Sequence, residues 1–253
     1  MCIRDRFYFG PEDREIFGVY HPALGADGRV LTVICPPLYS EFCRSHAALR
    51  NLALALVQEG QHVLRMEYTG TGESCGDLED ASLAGWIDDI TLAIDEGRDL
   101  SGCRRIRLVG VRGSALLASR AAAGRKDIER LVLWDPAPNG TAYRKSLLRE
   151  QDDTMREHLY LESADRREIH KPFDLYRMPV DMWEGWPALD GAAYLEISPD
   201  KLKVVRTPKA DKFDIQAVEQ SLVDFALDWD VKSGDVFMCQ PVLEGLLSYL
   251  TAS

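Results

Sequence analysis

Apolar and polar residues follow two periods along the chain. Short apolar runs, such as 29–35, are followed by longer segments, such as 45–59, whose apolar positions recur every third or fourth residue. The predicted strands are 7–9, 16–20, 29–35, 63–68, 106–111, 131–134, 202–206 and 227–231, and the predicted helices are 45–59, 82–96, 113–124, 143–161, 214–226 and 241–250. This alternation predicts an α/β fold with a mostly parallel sheet that helices cover on both faces.

One long segment, 139–193, interrupts the alternation after the sixth predicted strand. It starts as a polar, charge-rich helical pattern and continues as an aromatic stretch broken by prolines. Ligands bind at the carboxyl edge of open α/β sheets, so we expect this segment to form a helical cap over that edge. Neither an internal repeat nor a low-complexity segment is present, and the sequence therefore predicts a single domain over 1–253.

Composition narrows the classes of function. The chain has 253 residues, of which 46% are hydrophobic, and a formal net charge of −11 with a pI near 5.0. Such an acidic protein is repelled by polyanions, so binding to nucleic acid or to an anionic membrane surface is not expected. No apolar run reaches the about 18 residues that a membrane span needs, and no signal-peptide pattern opens the chain. A cytoplasmic location is the prediction.

The cysteines and the first residues carry little functional signal. Six cysteines, Cys2, Cys35, Cys43, Cys75, Cys103 and Cys239, are scattered without Cys-x-x-Cys spacing or a matching histidine pair. We expect reduced thiols, no metal site and no cofactor. Residues 1–6 resemble a short tag found at the start of reading frames from metagenome assemblies, and we leave them out of the prediction of the fold.

The segment 105–118 carries the strongest signal. A buried strand turns at Gly110 directly into a helix, which is the layout of the nucleophile elbow Gly-x-Ser-x-Gly of α/β-hydrolases. With Gly110 as the first glycine, the nucleophile position falls on Arg112. A guanidinium has no nucleophilic atom and stays protonated, so acyl-enzyme chemistry cannot start there. The pattern therefore predicts a hydrolase fold with an altered site.

Several short motifs together resemble one bacterial family. They are Cys35-Pro36-Pro37 with Glu41, Arg44, Ser45 and His46; Val63-Leu64-Arg65; Tyr68-Thr69-Gly70-Thr71-Gly72-Glu73-Ser74; Gly110-Val111-Arg112; and Leu131-Val132-Leu133-Trp134-Asp135-Pro136. The chain is similar in these motifs to hydrolases of the exosortase A system-associated hydrolase 2 type. The resemblance implies an α/β-hydrolase fold, an arginine at the elbow, and a bacterial exopolysaccharide and protein-sorting context.

The positions equivalent to the other triad members are also occupied by unusual residues. A catalytic histidine would follow the last strand, and that place reads Gly234-Asp235-Val236-Phe237. An aspartate, with a reference pKa of about 3.9, cannot relay a proton as imidazole does near neutral pH. Asp235 could instead pair with Arg112, and Asp211 is the candidate third member. A solvated loop acid is the structural alternative for Asp211.

Further candidates surround the predicted elbow. Arg112 begins a helix, where unpaired amides and the helix dipole favour an anion such as a carboxylate, a phosphate or an acyl-carrier phosphopantetheine. The alternative is an internal ion pair that closes an inactive site. His46 is a possible general base or part of a capped first turn, Ser114 a fallback nucleophile, and Asp135 a site acid or a turn residue. The predicted ligand-binding residues are Leu38, Glu41, Arg44, His46, Gly113, Ser114 and Asp135.

Two functional hypotheses follow. The first is an atypical hydrolase or acyltransferase that acts on an ester or thioester. The second is a catalytically silent α/β-hydrolase fold that binds an acyl or anionic ligand, or a protein partner, with Arg112 as the anchor. The residues at 112 and 235 favour the second, because replacing both nucleophile and base removes essentially the whole triad contribution.

Overall fold

The computed structural model describes residues 5–25, 28–158, 179–213, 215, 218–225, 227, 229 and 239–252, with the side chains of 152–158 left aside. Its strands are β1 (Asp5–Phe9), β2 (Ile16–His21), β3 (Val30–Cys35), β4 (His62–Met66), β5 (Arg105–Val111), β6 (Ile128–Trp134), β7 (Leu202–Arg206) and β8 (Glu219–Leu222). Its α-helices are α1 (Tyr39–Gln58), α2 (Leu83–Ser101), α3 (Ser114–Ala122), α4 (Gly140–His158), α5 (Val180–Gly185), α6 (Ala192–Leu195) and α7 (Gln240–Thr251), with 3₁₀ turns at Leu78–Asp80 and Trp186–Ala188. The α/β class expected from the periodicity is confirmed.

The strands form one eight-stranded sheet in the order β1-β2-β4-β3-β5-β6-β7-β8. Strand β2 runs antiparallel to both β1 and β4, whereas every neighbouring pair from β4 to β8 is parallel. The parallel strands bring their carboxyl ends to one edge, and ligands bind at that edge in open α/β sheets. The loops after β3, β5, β6 and β7 therefore meet there.

Helices cover the sheet on both faces, as the sequence predicts. One buried apolar cluster joins α2 and α3 to one face and includes Trp86, Leu108 and Leu117. A second cluster joins α1 and α7 to the other face and includes Leu52 and Leu246. Strand β5 contributes Leu108 to the first cluster and Val109 to the second, because successive side chains of a strand point to opposite faces.

The ends of the sheet differ from the sequence prediction. Strand β1 begins at Asp5, inside the segment left out of the prediction, because antiparallel pairing with β2 extends to Asp5 and Arg6. The predicted helix 214–226 is wrong in its centre, where β8 pairs in parallel with β7 from Lys203↔Glu219 to Arg206↔Leu222. Pairing along an open sheet edge outweighs the helical spacing of this segment. The predicted strand 227–231 is not found at its described residues, Leu227 and Trp229.

The segment between β6 and β7 contains helices, as predicted. Helix α4 starts at Gly140, and the chain returns through α5, a 3₁₀ turn and α6 before entering β7. Residues 159–178 lie outside the described part, so the assignment of this insertion as a cap stays a prediction. In the described ranges, none of the helices is long and apolar enough to cross a membrane.

Candidate functional site

The β5–α3 connection has the tight geometry of an elbow. Arg112 lies between the strand and the helix with φ +55°, a left-handed conformation that is strained for a residue with a side chain. A Cβ on Gly110 would come within 2.9 Å of the Ala115 Cα, so the strand and helix approach closely only because position 110 is glycine. Hydrogen bonds from Arg112 N to Trp134 O (3.0 Å) and from Ala137 N to Arg112 O (3.2 Å) join the elbow to the end of β6.

Backbone strain is concentrated at this edge. In the described part of the chain, the non-glycine residues with positive φ are Tyr39 at +54°, Arg112 at +55° and Asp135 at +43°. They follow or end β3, β5 and β6, three adjacent strands of the sheet. Strained residues of this kind persist only where the surroundings fix them, and they cluster at ligand sites. The backbone therefore marks the carboxyl edge as the candidate site.

A buried ion pair fills the nucleophile position. Arg112 Nε donates to Glu41 Oε1 at 2.8 Å, and both side chains are only 4% exposed. The Arg112 Cζ lies 5.4 Å from the centroid of the Trp229 ring, and Nη1 lies 3.4 Å from the Asp135 carbonyl oxygen, which accepts from it. The guanidinium is thus enclosed by an acid, an aromatic face and a carbonyl. Burial lowers the Arg112 pKa, but the Glu41 charge and hydrogen bond outweigh burial and raise that pKa above its usual value.

Tyr143 closes the same pair from the inserted helix α4. Its hydroxyl donates to Glu41 Oε2 at 2.9 Å, so the two oxygens of the carboxylate have separate donors. Burial, reinforced by the Glu41 charge, raises the Tyr143 pKa well above its usual range and keeps this donor protonated. The ring lies directly over Gly113, where an added Cβ would come within 2.2 Å of it. Gly113, a predicted ligand-binding residue, is therefore needed here to let Tyr143 approach.

Asp135 is held by donors from two elements. Its Oδ1 accepts from Thr207 N at 2.7 Å, and its Oδ2 accepts from Thr207 Oγ1 at 2.9 Å and from Trp229 Nε1 at 2.8 Å. Burial raises the Asp135 pKa, while Trp229 and then Thr207 oppose that rise. The carboxylate thus fixes the Trp229 indole against Arg112. The Asp135 carboxylate therefore contributes to the site by positioning Trp229, whereas Glu41 forms the ion pair with the guanidinium.

The two other triad-equivalent predictions have different outcomes. Asp211 Oδ2 lies 4.0 Å from Arg112 Nη1, the limit for an ion pair, and its side chain is 36% exposed. Asp235 lies outside the described residues. The carboxylate that accepts a hydrogen bond from Arg112 is that of Glu41. The catalytic roles of Arg112, Asp211 and Asp235 stay predictions.

The predicted site residues on helix α1 point in different directions around the helix axis. Arg44, one turn after Glu41, donates through Nη2 to Trp229 O at 2.5 Å and lies 3.5 Å from Glu150 Oε1. His46 is five residues after Glu41, about 140° around the helix, and lines a different cavity. The hypothesis that His46 acts as a base beside Arg112 therefore does not fit the geometry.

Ser114 and Leu38 are both buried. Ser114 is the first residue of α3 and is 0% exposed, which does not fit a nucleophile open to substrate. Leu38 precedes α1 and lines an apolar cavity of about 410 Å³ at the carboxyl edge of β3 and β4. Other walls of this cavity, which we call the Leu38 cavity, are Pro37, Tyr39, Phe42, Cys43, Tyr68 and Leu78.

Sequence reasoning missed Tyr143, Thr207 and Trp229, which complete the site. Their contacts with Glu41 and Asp135 join residues about 70 to 100 positions apart in sequence, and no local motif marks them. The described part of the chain contains no cluster of three or more His, Cys, Asp and Glu side chains suited to a metal ion. Its cysteines, Cys35, Cys43, Cys75, Cys103 and Cys239, are free.

Comparison with known proteins bears on the fold. Est1E from Butyrivibrio proteoclasticus, solved with ferulic acid, matches with a TM-score of 0.64 at 15% identity, over 97% of this chain and 100% of that one. This chain has the α/β-hydrolase fold. A thermostable carboxyl esterase from Bacillus coagulans gives 0.61 at 11% identity over 99% and 98%, and an alpha-beta serine hydrolase homologue from Coxiella burnetii gives 0.55 at 14% over 97% and 95%. Neither a protein-family model nor a curated protein matches the sequence.

Proposed function

We propose that this hydrolase-fold protein forms no acyl-enzyme and instead binds a small acyl ligand at the carboxyl edge of its sheet. The observation that carries the proposal is the Arg112–Glu41 pair, which occupies the elbow with a group that cannot attack a carbonyl. Ser114, the nearest hydroxyl in sequence, is fully buried inside a helix. The fold therefore presents its elbow without the reactive group that acyl transfer needs.

The class of ligand is inferred from the side chains at the carboxyl edge of the sheet. Glu41 compensates the Arg112 charge at 2.8 Å, so an anion could reach this guanidinium only by displacing a buried carboxylate. The Leu38 cavity offers about 410 Å³ lined mainly by apolar side chains, a size suited to a small ligand. An acyl chain in this cavity fits the surroundings better than an anion on Arg112. The bacterial exopolysaccharide context implied by the sequence resemblance stays a prediction.

An atypical ester or thioester hydrolase is the second candidate. The positive φ of Arg112 (+55°) and those of Tyr39 and Asp135 are energetically costly, and strained residues of this kind cluster at active sites. Known proteins with this fold include the esterases named above. A reactive fluorophosphonate, followed by intact-mass measurement, separates the two candidates. We expect no labelling and no hydrolysis of p-nitrophenyl esters, whereas stoichiometric labelling of any serine would overturn the proposal.

The binding half of the proposal has its own test. Thermal-shift titration with octanamide, an uncharged octanoyl compound, is expected to stabilise the parent protein, because ligands of the folded state raise its melting temperature. Cys43→Trp fills the Leu38 cavity from an exposed wall position and should abolish that shift. Cys75→Trp, at an exposed cysteine off the cavity wall, is the matched control and should keep it. Equal shifts in both variants would place the ligand elsewhere.

A further inference from the structure

A second cavity, of about 670 Å³, lies between α1 and the strands β1, β2 and β4. We call it the Arg50 cavity. Its lining includes none of the side chains that surround the Arg112 guanidinium, namely Glu41, Asp135, Asp211 and Trp229. It adjoins the Leu38 cavity, with which it shares Pro36, Phe42 and Glu67. The volume falls in the usual range for small-molecule sites.

The inner surface of the Arg50 cavity is apolar. Strand side chains and one face of α1 supply it: Phe17, Val19, Ile34, Phe42 and Leu49. Water in contact with such a surface is readily displaced by an apolar group, at about 25 cal/mol per Å² of apolar area buried. The cavity therefore suits a ligand with an apolar body.

Cationic side chains also line this cavity. Arg50 projects from α1 and, in the described part of the chain, has no ion-pair partner. Arg65 comes from β4, and its Nε donates to Nε2 of the buried His21 at 3.3 Å, which orients the guanidinium. Arg6 also lines the cavity, but it belongs to residues 1–6, which resemble a tag. The inference therefore rests on Arg50 and Arg65.

The remaining charged and titratable groups restrict where an anion can sit. Glu67 and Glu73 also line the cavity, and Glu67 Oε2 accepts from Glu73 N at 2.7 Å, so this carboxylate is turned toward the loop after β4. Burial lowers the His46 pKa, and the positive charges of Arg65 and Arg50 lower it further, so this imidazole is neutral at pH 7. The positive charge at the cavity that we use here therefore comes from Arg50 on α1 and Arg65 on β4.

We propose that the Arg50 cavity binds an amphiphilic anion, a molecule with an apolar body and one carboxylate or phosphate group. The apolar body contacts Phe17, Val19 and Leu49, and the anionic group lies between Arg50 and Arg65, away from Glu67. Guanidinium groups bind both carboxylate and phosphate in two-point contacts, so the chemistry of the head group is shared. This site is independent of the proposed function, which concerns the elbow and the Leu38 cavity.

Isothermal titration with octyl phosphate, octanoate and octyltrimethylammonium, each below its micelle concentration, tests the proposal. The two anions should bind and the cation should not, and their relative affinities identify the preferred head group. Arg50→Gln should weaken both anions about tenfold, the loss expected for one charge-assisted hydrogen bond. Arg29→Gln changes the charge equally at an exposed position off the cavity and should have no effect.

Two further variants localise the ligand. Ala47→Phe enters the Arg50 cavity from α1 and should abolish anion binding, while Cys43→Trp fills only the Leu38 cavity and should not. Equal affinities for Arg50→Gln and Arg29→Gln, or binding of the cation as tight as that of the anions, would overturn the inference. Loss of binding in Cys43→Trp alone would also overturn it while supporting the proposed function. Serine labelling by fluorophosphonate would overturn the proposed function and leave this inference standing.

Discussion

Arg112 Nε donates to Glu41 Oε1 at 2.8 Å and so connects the β5–α3 elbow to the first turn of α1. In a serine hydrolase, the loop that leads into the equivalent helix supplies an amide to the oxyanion hole beside the nucleophile. In this chain, the same two segments are joined by a buried charge pair that Tyr143 completes from α4. In a serine hydrolase these two segments stabilise a reacting carbonyl, whereas in this chain the Arg112–Glu41 pair joins them.

Breaking this pair from one side is expected to be costly. Arg112→Met leaves Glu41 as a buried carboxylate without its cation, so the free energy of unfolding should fall by about 3 to 5 kcal/mol. The double variant Arg112→Met/Glu41→Gln should recover part of that loss, because no buried charge remains unpaired and the glutamine amide oxygen still accepts from Tyr143. Urea denaturation measures both.

The matched control for this prediction is an exposed ion pair. Arg98 Nη1 lies 3.3 Å from Asp95 Oδ1, and both side chains are 42% exposed. Arg98→Met should therefore change the free energy of unfolding by only about 0 to 1 kcal/mol. A double variant as unstable as Arg112→Met alone would contradict the account of the buried pair.

The carboxylate of Asp135 should be hard to replace. Asp135→Asn turns an amide N–H₂ toward donors from Thr207 and Trp229, leaving a buried donor unsatisfied. A loss of about 1 to 3 kcal/mol in the free energy of unfolding is expected. Asp224→Asn, at an exposed position, should stay within about 0.5 kcal/mol of the parent. A neutral Asp135→Asn would show that these hydrogen bonds do not stabilise the fold.

Gly113 is expected to resist even the smallest substitution. Gly113→Ala places a Cβ 2.2 Å from the Tyr143 ring, so the ring must move, at a cost of about 1 to 3 kcal/mol in the free energy of unfolding. The backbone itself is not strained, since φ is −61°. In a Tyr143→Leu background the same substitution should cost less, and a double-mutant cycle measures the coupling. Additive effects would rule out the contact as the cause.

His62 should make stability depend on pH. Its Nδ1 is an acceptor, 2.6 Å from the Tyr20 hydroxyl and 3.4 Å from Ala23 N. Burial raises the Tyr20 pKa to about 12, so this hydroxyl retains its proton. Burial also lowers the His62 pKa from its ordinary value near 6.5, and the unfolded chain then binds the extra proton first. The stabilisation by His62 is therefore present above about pH 6.5 and lost as the pH falls toward the folded-state pKa.

The variant His62→Asn isolates this contribution. The difference in free energy of unfolding between parent and variant should shrink as the pH falls from about 7.5 to about 5.5, because only the parent loses a neutral imidazole. Denaturant titrations at several pH values measure it, and an NMR titration of the ring gives the pKa directly. A difference that stays constant over this range would contradict the prediction.

The class of fold and the position of the elbow follow from the amino-acid sequence alone. Buried strands and amphipathic helices leave local periodic signals, and the strand, Gly110 and helix are consecutive in the chain. For the same reason, the sequence predicts that Arg112 occupies the nucleophile position. In the structure, Arg112 lies in the strained turn between β5 and α3. These features depend on neighbours within a few residues.

The surroundings of Arg112 and the end of the sheet depend instead on contacts between distant segments of the folded chain. The choice of Glu41 as its partner, the placement of Trp229 by Asp135, and the pairing of β8 with β7 all join segments far apart in sequence. Local spacing even favoured a helix where β8 lies. Such contacts depend on which faces and edges come together when the whole sheet is assembled, and burial then selects the side chains that can pair there.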